Sequence, residues 1–132
     1  MTIFEKNIAA TGAFIMAATI AIGAFGAHGL KEILDTAALN TFEVGVRYQI
    51  YHGLAILVLG LAPSISESLK KRVFWFFLVG ILFFSGSIYL LSMNSILPFK
   101  TLSIGFVTPI GGLLFIIGWF LLAFGLLTLK KQ

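Results

Sequence analysis

The sequence predicts an all-α integral membrane protein: one membrane domain over residues 1–132, built from four transmembrane helices in an antiparallel bundle. Of the 132 residues, 59% are hydrophobic and only 11% are charged, whereas a soluble domain is about half apolar and about a quarter charged. Long charge-free stretches recur along the chain, each close to the roughly 20 residues that a helix needs to cross a bilayer. The chain is therefore expected to partition into a membrane, and the lipid bilayer is its first expected partner.

The first transmembrane helix is predicted over residues 7–27, a charge-free run that follows Glu5 and Lys6. A cleaved signal peptide is the alternative, but the apolar run exceeds the roughly 7–15 residues of a signal core. Small residues on this segment, including Gly23 and Gly26, allow the backbone of a second helix to approach closely. We therefore predict a helix-packing role for these two glycines.

Residues 28–39 have apolar side chains at helical spacing and charged side chains away from them, which predicts a short amphipathic helix at the membrane interface. Asn40 then resembles a helix N-cap, with Glu43 at the third helical position as in a capping box. This places the second transmembrane helix over residues 41–62, before Pro63. The expected order is thus interfacial helix, cap and transmembrane helix.

The segment 63–72 is serine-rich and ends in three consecutive basic residues, so we predict a solvated connection. The third transmembrane helix is predicted over residues 73–93. Small and hydroxyl-bearing residues at its middle suit close packing or interhelical hydrogen bonds. These residues are Ser85, Gly86 and Ser87.

The fourth transmembrane helix is predicted over residues 107–129, about one bilayer thickness. Thr108 is a candidate N-cap with Pro109 at the first helical position, where its missing N–H is harmless; a proline kink inside a longer helix is the alternative. Glycines repeat every seven residues along this segment and line one face for a left-handed crossing with another helix. They are Gly111, Gly118 and Gly125, with Gly112 as a further packing candidate.

With four spans, both chain termini and the segment 63–72 lie on one side of the membrane. That side carries six of the nine lysines and arginines, which predicts cytoplasmic termini under the positive-inside rule. The basic residues lie at the edges of the hydrophobic segments and leave no basic face, so no nucleic-acid partner is expected. The chain has no cysteine, which excludes disulfides, thiolate catalysis and cysteine-bound metal.

The second helix is distinguished by polar side chains at its start, whereas the other hydrophobic segments carry almost nothing ionisable. A charged residue at a helix centre costs about 2.5–3.5 kcal/mol on insertion scales, so such groups usually face protein or water and are functional candidates. Glu43 and Arg47 are one helical turn apart, which predicts an ion pair worth about 0.2–0.5 kcal/mol. The candidate ligand or proton site comprises His28, Glu43, Arg47, Tyr48, Gln49 and His52.

His52 lies deeper than the charged pair, on a stripe of small and polar residues that predicts a ring pointing into the bundle. If the first two helices pack antiparallel, His28 and His52 could approach and share a proton, a metal or an anion. A neutral histidine hydrogen-bonded to tyrosine, serine or backbone is the structural alternative. The spacing matches no zinc motif, and we predict no metal and no cofactor.

Four motifs occur in order: Gly-Ala-Phe-Gly-Ala-His-Gly at 23–29, Tyr-Gln-Ile-Tyr-His-Gly-Leu-Ala-Ile-Leu at 48–57, Phe-Ser-Gly-Ser-Ile-Tyr at 84–89, and Thr-Pro-Ile-Gly-Gly at 108–112 with Gly118-Trp119. Together they resemble the YgdD/YwdK-like family of small bacterial inner-membrane proteins, domain of unknown function 423, with eukaryotic relatives of the transmembrane protein 256 type. The resemblance covers nearly the whole chain and implies four spanning helices in a bacterial plasma membrane. It implies no activity, because the family's biochemical role is unestablished. The family pattern includes His28, Gln49 and His52, but not Arg47.

No catalytic residue is predicted, because the sequence has no Ser/His/Asp constellation, phosphate-binding glycine loop or acidic pair. The favoured function is that of a non-enzymatic membrane protein acting through helix packing, as an accessory to another membrane protein or as a homo-oligomer. A small transporter or channel with a polar outer-side site around the second helix is the alternative. A membrane enzyme with a site centred on His52 is the third possibility.

Overall fold

The computed structural model describes residues 1–130; Lys131 and Gln132 of the basic tail lie outside the described part. The regular structure within it is entirely helical, and four helices are long and apolar enough to cross a membrane. The predicted fold class, four transmembrane helices in an antiparallel bundle, is therefore confirmed. The helices are α1 (Ile3–His28), α2 (Thr36–Leu61), α3 (Glu67–Ser92) and α4 (Val107–Leu127), with short 3-10 turns at Leu30–Glu32 and Leu102–Ile104.

The helices pack in chain order, so α2 and α3 form the centre of the bundle and α1 and α4 lie outside them. Each connection reverses the chain direction, so the start of α1 and the end of α4 lie at one end of the bundle, which we call the terminal end; the opposite end is the distal end. The main apolar core surrounds Ile56, Val73 and Phe77, each 0% exposed. A smaller cluster at the distal end includes Leu30 and Phe42.

Glycines set the separation between α1 and α2. A Cβ built on Gly12 would lie 2.5 Å from the α2 backbone at Leu57, and one on Gly26 would lie 2.6 Å from the Phe42 ring. These distances leave no room for a side chain, so the two helices meet closely at both levels. Gly23 is less crowded, because a Cβ there would meet only the side chain opposite it, at 3.5 Å.

The seven-residue glycine repeat of α4 faces α3. Cβ atoms added at Gly111, Gly118 and Gly125 would each collide with α3, at Gly118 by lying 2.7 Å from the Phe77 ring. Gly112 lies beside this face, where an added Cβ would have α3 ring atoms at 3.7 Å. A continuous face of small residues therefore lets α4 pack against α3 along most of its length.

The three small residues at the middle of α3 differ in their surroundings. Ser85 and Ser87 are buried, at 0% and 4% exposure. A Cβ added at Gly86 would instead meet nothing within 4 Å. Within the described residues, no other helix therefore approaches Gly86 closely enough to require a glycine. The packing role predicted for Gly86 stays a prediction.

The interfacial helix predicted over residues 28–39 is wrong. A 3-10 turn follows α1 in this segment, and α2 already begins at Thr36. The N-cap of α2 is Asp35, whose side chain accepts a hydrogen bond from the Ala38 N–H at 2.8 Å. Because no helix breaker follows this earlier cap, Asn40 falls inside a helix that has already begun and caps nothing. The apolar pattern of the segment reflects leucines that are buried in the distal cluster.

The terminal end differs from the solvated connection predicted over residues 63–72. Ser66 caps α3, which begins at Glu67, so the basic triplet lies on helical turns. Lys70 is 0% exposed and donates a hydrogen bond of 2.6 Å to the Glu5 carboxylate on α1. The buried lysine is tolerated because its charge is paired.

The start of α4 also differs in detail from the prediction. The helix begins at Val107, so Thr108 and Pro109 occupy its second and third positions. The Thr108 hydroxyl lies 2.6 Å from the Ser87 hydroxyl on α3, and thus joins two helices instead of forming a cap. Pro109 lies in the first turn, where backbone N–H groups have no intrahelical acceptor, so it causes no kink.

Candidate functional site

The polar residues at the start of α2 point in two directions. Gln49 and His52 are buried, at 6% and 3% exposure, and they contact the inner helices and α4. Glu43 and Arg47 are exposed and line a groove towards α1. Tyr48 lies between the two sets and is 39% exposed. The division follows from helical spacing, because residues three or four apart share a face.

His52 has a hydrogen-bond partner at each ring nitrogen. Its Nδ1 lies 2.7 Å from the Tyr48 carbonyl oxygen, and its Nε2 lies 3.0 Å from Nε1 of Trp119 on α4. A carbonyl can only accept and an indole N–H can only donate, so we assign the neutral tautomer with the proton on Nδ1. No ring nitrogen is left for a metal or for proton transfer.

Aromatic rings close the space around His52. Its imidazole stacks on Phe115 with ring centroids 3.5 Å apart and planes 8° apart. The Phe77 ring meets it edge-on at 5.1 Å. Apolar faces and two satisfied nitrogens are the environment of a structural polar residue. His52 therefore ties α2 to α4 across the core.

The other polar groups of α2 are bonded to α3. The Tyr89 hydroxyl donates to the Gln49 side-chain oxygen at 2.7 Å, and the Ser85 hydroxyl donates to the Gly45 carbonyl at 2.7 Å. Across residues 1–130, no buried side-chain nitrogen or oxygen lacks a hydrogen-bond partner. The buried polar side chains of the described bundle therefore bond to one another and to the backbone, as is the rule for buried polar groups.

His28 and His52 are not brought together. His52 lies at the same height in the bundle as Met16 on α1, because a Cβ added to the adjacent Gly53 would lie 3.0 Å from the Met16 sulfur. His28 is exposed at the end of α1, about 12 residues or about 18 Å further along that helix. The part of the chain that the structure describes contains no group of three or more His, Cys, Asp or Glu side chains able to hold a metal ion.

The exposed part of the predicted site belongs to a groove at the distal end. This groove has a volume of about 590 Å³ and lies between the end of α1 and the first half of α2, lined by residues between 23 and 31 and between 36 and 47. We call it the distal groove. Its charged residues are Lys31, Glu43 and Arg47, and Lys31 does not belong to the predicted site.

The predicted ion pair between Glu43 and Arg47 is wrong. The one salt bridge among residues 1–130 joins Lys70 to Glu5 at the terminal end. Glu43, Arg47 and Lys31 therefore line the same groove without pairing with one another. Two positive charges and one negative charge remain open to water or to a ligand at the membrane edge.

Trp119 and Tyr89 complete the buried polar contacts but are missing from the predicted site. Trp119 belongs to one of the family motifs, but nothing in its local sequence indicates a hydrogen-bond partner. Trp119 is 45% exposed and Tyr89 is partly buried. Even so, the indole N–H and the tyrosine hydroxyl point inwards, where the buried imidazole and amide of α2 accept their hydrogen bonds. The pairing of Lys70 with Glu5 has no local signal, because 65 residues separate the two in sequence.

Comparison with known proteins gives a consistent result. A family model described as a protein of unknown function (DUF423) matches residues 22–112. The chain is 41% identical to a UPF0382 membrane protein of Staphylococcus saprophyticus, over 86% of the chain and 91% of that relative. It is 41% identical to a UPF0382 membrane protein of Haemophilus influenzae, over 80% of the chain and 82% of the relative. It is 35% identical to the UPF0382 inner membrane protein YgdD of Escherichia coli, over 98% of the chain and 93% of the relative. No solved structure matches the chain.

Proposed function

We propose, from the premise that the chain belongs to the DUF423 family of membrane proteins, that it is a non-enzymatic multi-pass protein acting through helix packing, as an accessory or homo-oligomeric component. The observation that carries the proposal is the closed bundle interior. His52, the one histidine at depth, has both nitrogens bonded. A general base or a metal ligand needs a free nitrogen lone pair, so an enzyme centred on this residue is disfavoured.

The outer helices offer the surfaces for such a role. Large apolar side chains project from both, among them Phe14 on α1 at 77% exposure and Phe120 on α4 at 59% exposure. Side chains at these positions face lipid in the isolated chain. Helices of a second protein can replace that lipid through van der Waals packing, which drives association in membranes.

We also propose that the protein lies in the bacterial plasma membrane with both termini in the cytoplasm. The Escherichia coli relative is named as an inner membrane protein, which supports a bacterial plasma membrane for this chain. Basic residues are more numerous at the terminal end, with Lys6, Lys71 and Arg72 exposed there. The positive-inside rule then supports cytoplasmic termini.

Site-specific photocrosslinking tests the proposal. p-Benzoylphenylalanine replaces Phe14 or Phe120 in cells, and Phe77, which is 0% exposed, serves as the interior control. We expect at least one outer position to yield a protein adduct of defined mass, either a second copy or one other membrane protein identified by mass spectrometry, and the control to yield none. Lipid adducts alone at both outer positions would overturn a role in helix packing.

A small transporter or channel-like protein is the second candidate, and the distal groove is the observation that favours it. A transport pathway would have to continue from the groove past Gln49 and His52. The groove lining reaches no deeper on α2 than Arg47, and Gln49 is bonded to Tyr89. This candidate therefore requires a second conformation in which those interior hydrogen bonds open, so that water reaches the α2–α3 contact.

A further inference from the structure

We propose that the distal groove binds the headgroup of a membrane phospholipid that carries both a phosphate and a primary ammonium, as phosphoethanolamine lipids do. The site goes beyond the proposed function, because it needs neither an oligomer nor a partner protein. Its residues are also separate from the hydrogen-bonded interior of the bundle.

The charges of the groove match a zwitterion. Arg47 and Lys31 supply two cations and Glu43 one anion along a single cavity of about 590 Å³. None of the three pairs with another, since the one salt bridge among residues 1–130 lies at the terminal end. A guanidinium binds phosphate oxygens in a bidentate manner, and a carboxylate accepts hydrogen bonds from a primary ammonium. Phosphate and ammonium on one headgroup satisfy both signs of charge.

The depth of the groove is that of lipid headgroups. The hydrocarbon core takes about 20 helical residues, which, counted back from the end of α2 at Leu61, reaches the level of Phe42. Glu43 therefore lies at the distal boundary of the hydrocarbon region, and the Cα of Arg47 lies about 7.5 Å inside it. The long arginine side chain can extend back to the boundary and hold its guanidinium there. A lipid phosphate occupies this level without leaving its leaflet.

The apolar wall favours a lipid over a soluble phosphate ester. Leu39, Phe42 and Val46 line the same cavity as the charged residues. The glycerol backbone and first acyl carbons of a lipid would cover these side chains, whereas a soluble ester would leave them in water. The groove is open because α1 contributes small residues opposite this wall, including Gly23 and Ala27.

Native mass spectrometry of the purified protein tests the site with defined lipids. The probes are dioleoyl phosphatidylethanolamine, phosphatidylglycerol and phosphatidylcholine, each titrated into the delipidated protein in detergent. We expect phosphatidylethanolamine to bind at least about fivefold more tightly than either other lipid, because phosphatidylglycerol lacks an ammonium and the choline nitrogen has no N–H to donate to Glu43. Equal affinity for all three lipids would overturn the proposal.

Charge variants distinguish the two halves of the headgroup. Arg47→Gln should weaken phosphatidylethanolamine and phosphatidylglycerol alike, by about tenfold, through loss of the phosphate partner. Glu43→Gln should remove the preference for phosphatidylethanolamine but retain phosphatidylglycerol. Lys100→Gln is the matched control, because Lys100 is exposed at the same end of the bundle and does not line the groove. An equal loss in Lys100→Gln would show nonspecific charge attraction and refute the site.

A steric variant tests the groove with its charges intact. Gly23→Leu should fill the cavity and abolish lipid retention, since a Cβ at Gly23 meets only Val46 at 3.5 Å and the fold has room for it. Gly86→Leu places the same side chain in open space on α3 and should leave binding unchanged. Unchanged binding in Gly23→Leu, at an unchanged melting temperature, would contradict the assignment. Soluble glycerophosphoethanolamine should not compete; competition at equal concentration would show that the occupant is not a lipid.

Discussion

The hydrogen bond between Trp119 and His52 gives a direct test of the closed interior. Trp119→Phe retains an aromatic ring but removes the N–H that reaches His52 Nε2 at 3.0 Å. Because His52 is 3% exposed, its acceptor nitrogen is left buried without a partner. An unpaired buried group costs about 1–3 kcal/mol. We therefore expect the free energy of unfolding to fall by about 1–3 kcal/mol in this variant.

A double-mutant cycle separates the hydrogen bond from the loss of aromatic bulk. His52→Leu leaves the Trp119 N–H without an acceptor, whereas the double variant leaves neither group unpaired. The double variant should lose less stability than the sum of the single variants, by about 1 kcal/mol or more. Reversible unfolding in mixed micelles, followed by circular dichroism, measures all four proteins. Additive losses, or a neutral Trp119→Phe, would refute the role given to this bond.

The other helix contacts give further predictions that the same unfolding assay checks. Gly12→Ala should lower the free energy of unfolding by about 1–3 kcal/mol, because its Cβ would lie 2.5 Å from the α2 backbone. Gly86→Ala should instead raise the free energy of unfolding by up to about 1 kcal/mol, since its Cβ meets open space. Glu5→Gln should lower the melting temperature by depriving buried Lys70 of its counter-charge, and adding Lys70→Met should recover much of that loss. Asp35→Ala should cost about 1 kcal/mol through loss of the α2 cap, whereas Asp35→Asn should cost little. Unchanged stability in Gly12→Ala would contradict the close helix contact. A double variant that is no more stable than Glu5→Gln would contradict the buried ion pair. Equal losses of stability in the two Asp35 variants would contradict the cap.

Composition and spacing predict the membrane fold well because the bilayer imposes a length and a polarity on each segment. The seven-residue glycine repeat of α4 is read correctly as a packing face because it needs only local periodicity. The N-cap of α2 is predicted wrongly, because Asp35 and Asn40 are equally good caps by residue type. The earlier one prevails because helix propagation follows the first cap that nothing interrupts.

The candidate site is less predictable than the fold, because the hydrogen-bond partners of its residues come from helices that are distant in sequence. Spacing alone places His52 on an inward face, but its neutral state rests on Trp119, which is 67 residues away in sequence. The partner of Lys70 cannot be predicted from spacing either, because Glu5 is also distant in sequence. Glu43 and Arg47 have the spacing of an ion pair, yet they line the groove with α1 unpaired. Periodicity thus identifies polar faces, and tertiary packing decides their partners.

Water access to the α2–α3 contact is the measurement that tests the closed interior most directly. The chain has no native cysteine, so single cysteines can be labelled with a membrane-impermeant thiol reagent applied from either side of the membrane. Ser85→Cys is nearly isosteric and probes a residue that is 0% exposed. Arg47→Cys probes the distal groove, and Leu54→Cys is a control at an apolar surface position that is 45% exposed. We predict labelling at Arg47→Cys alone. Labelling at Ser85→Cys, with Leu54→Cys still unreactive, would show a water-filled interior and contradict the account in favour of a transport pathway.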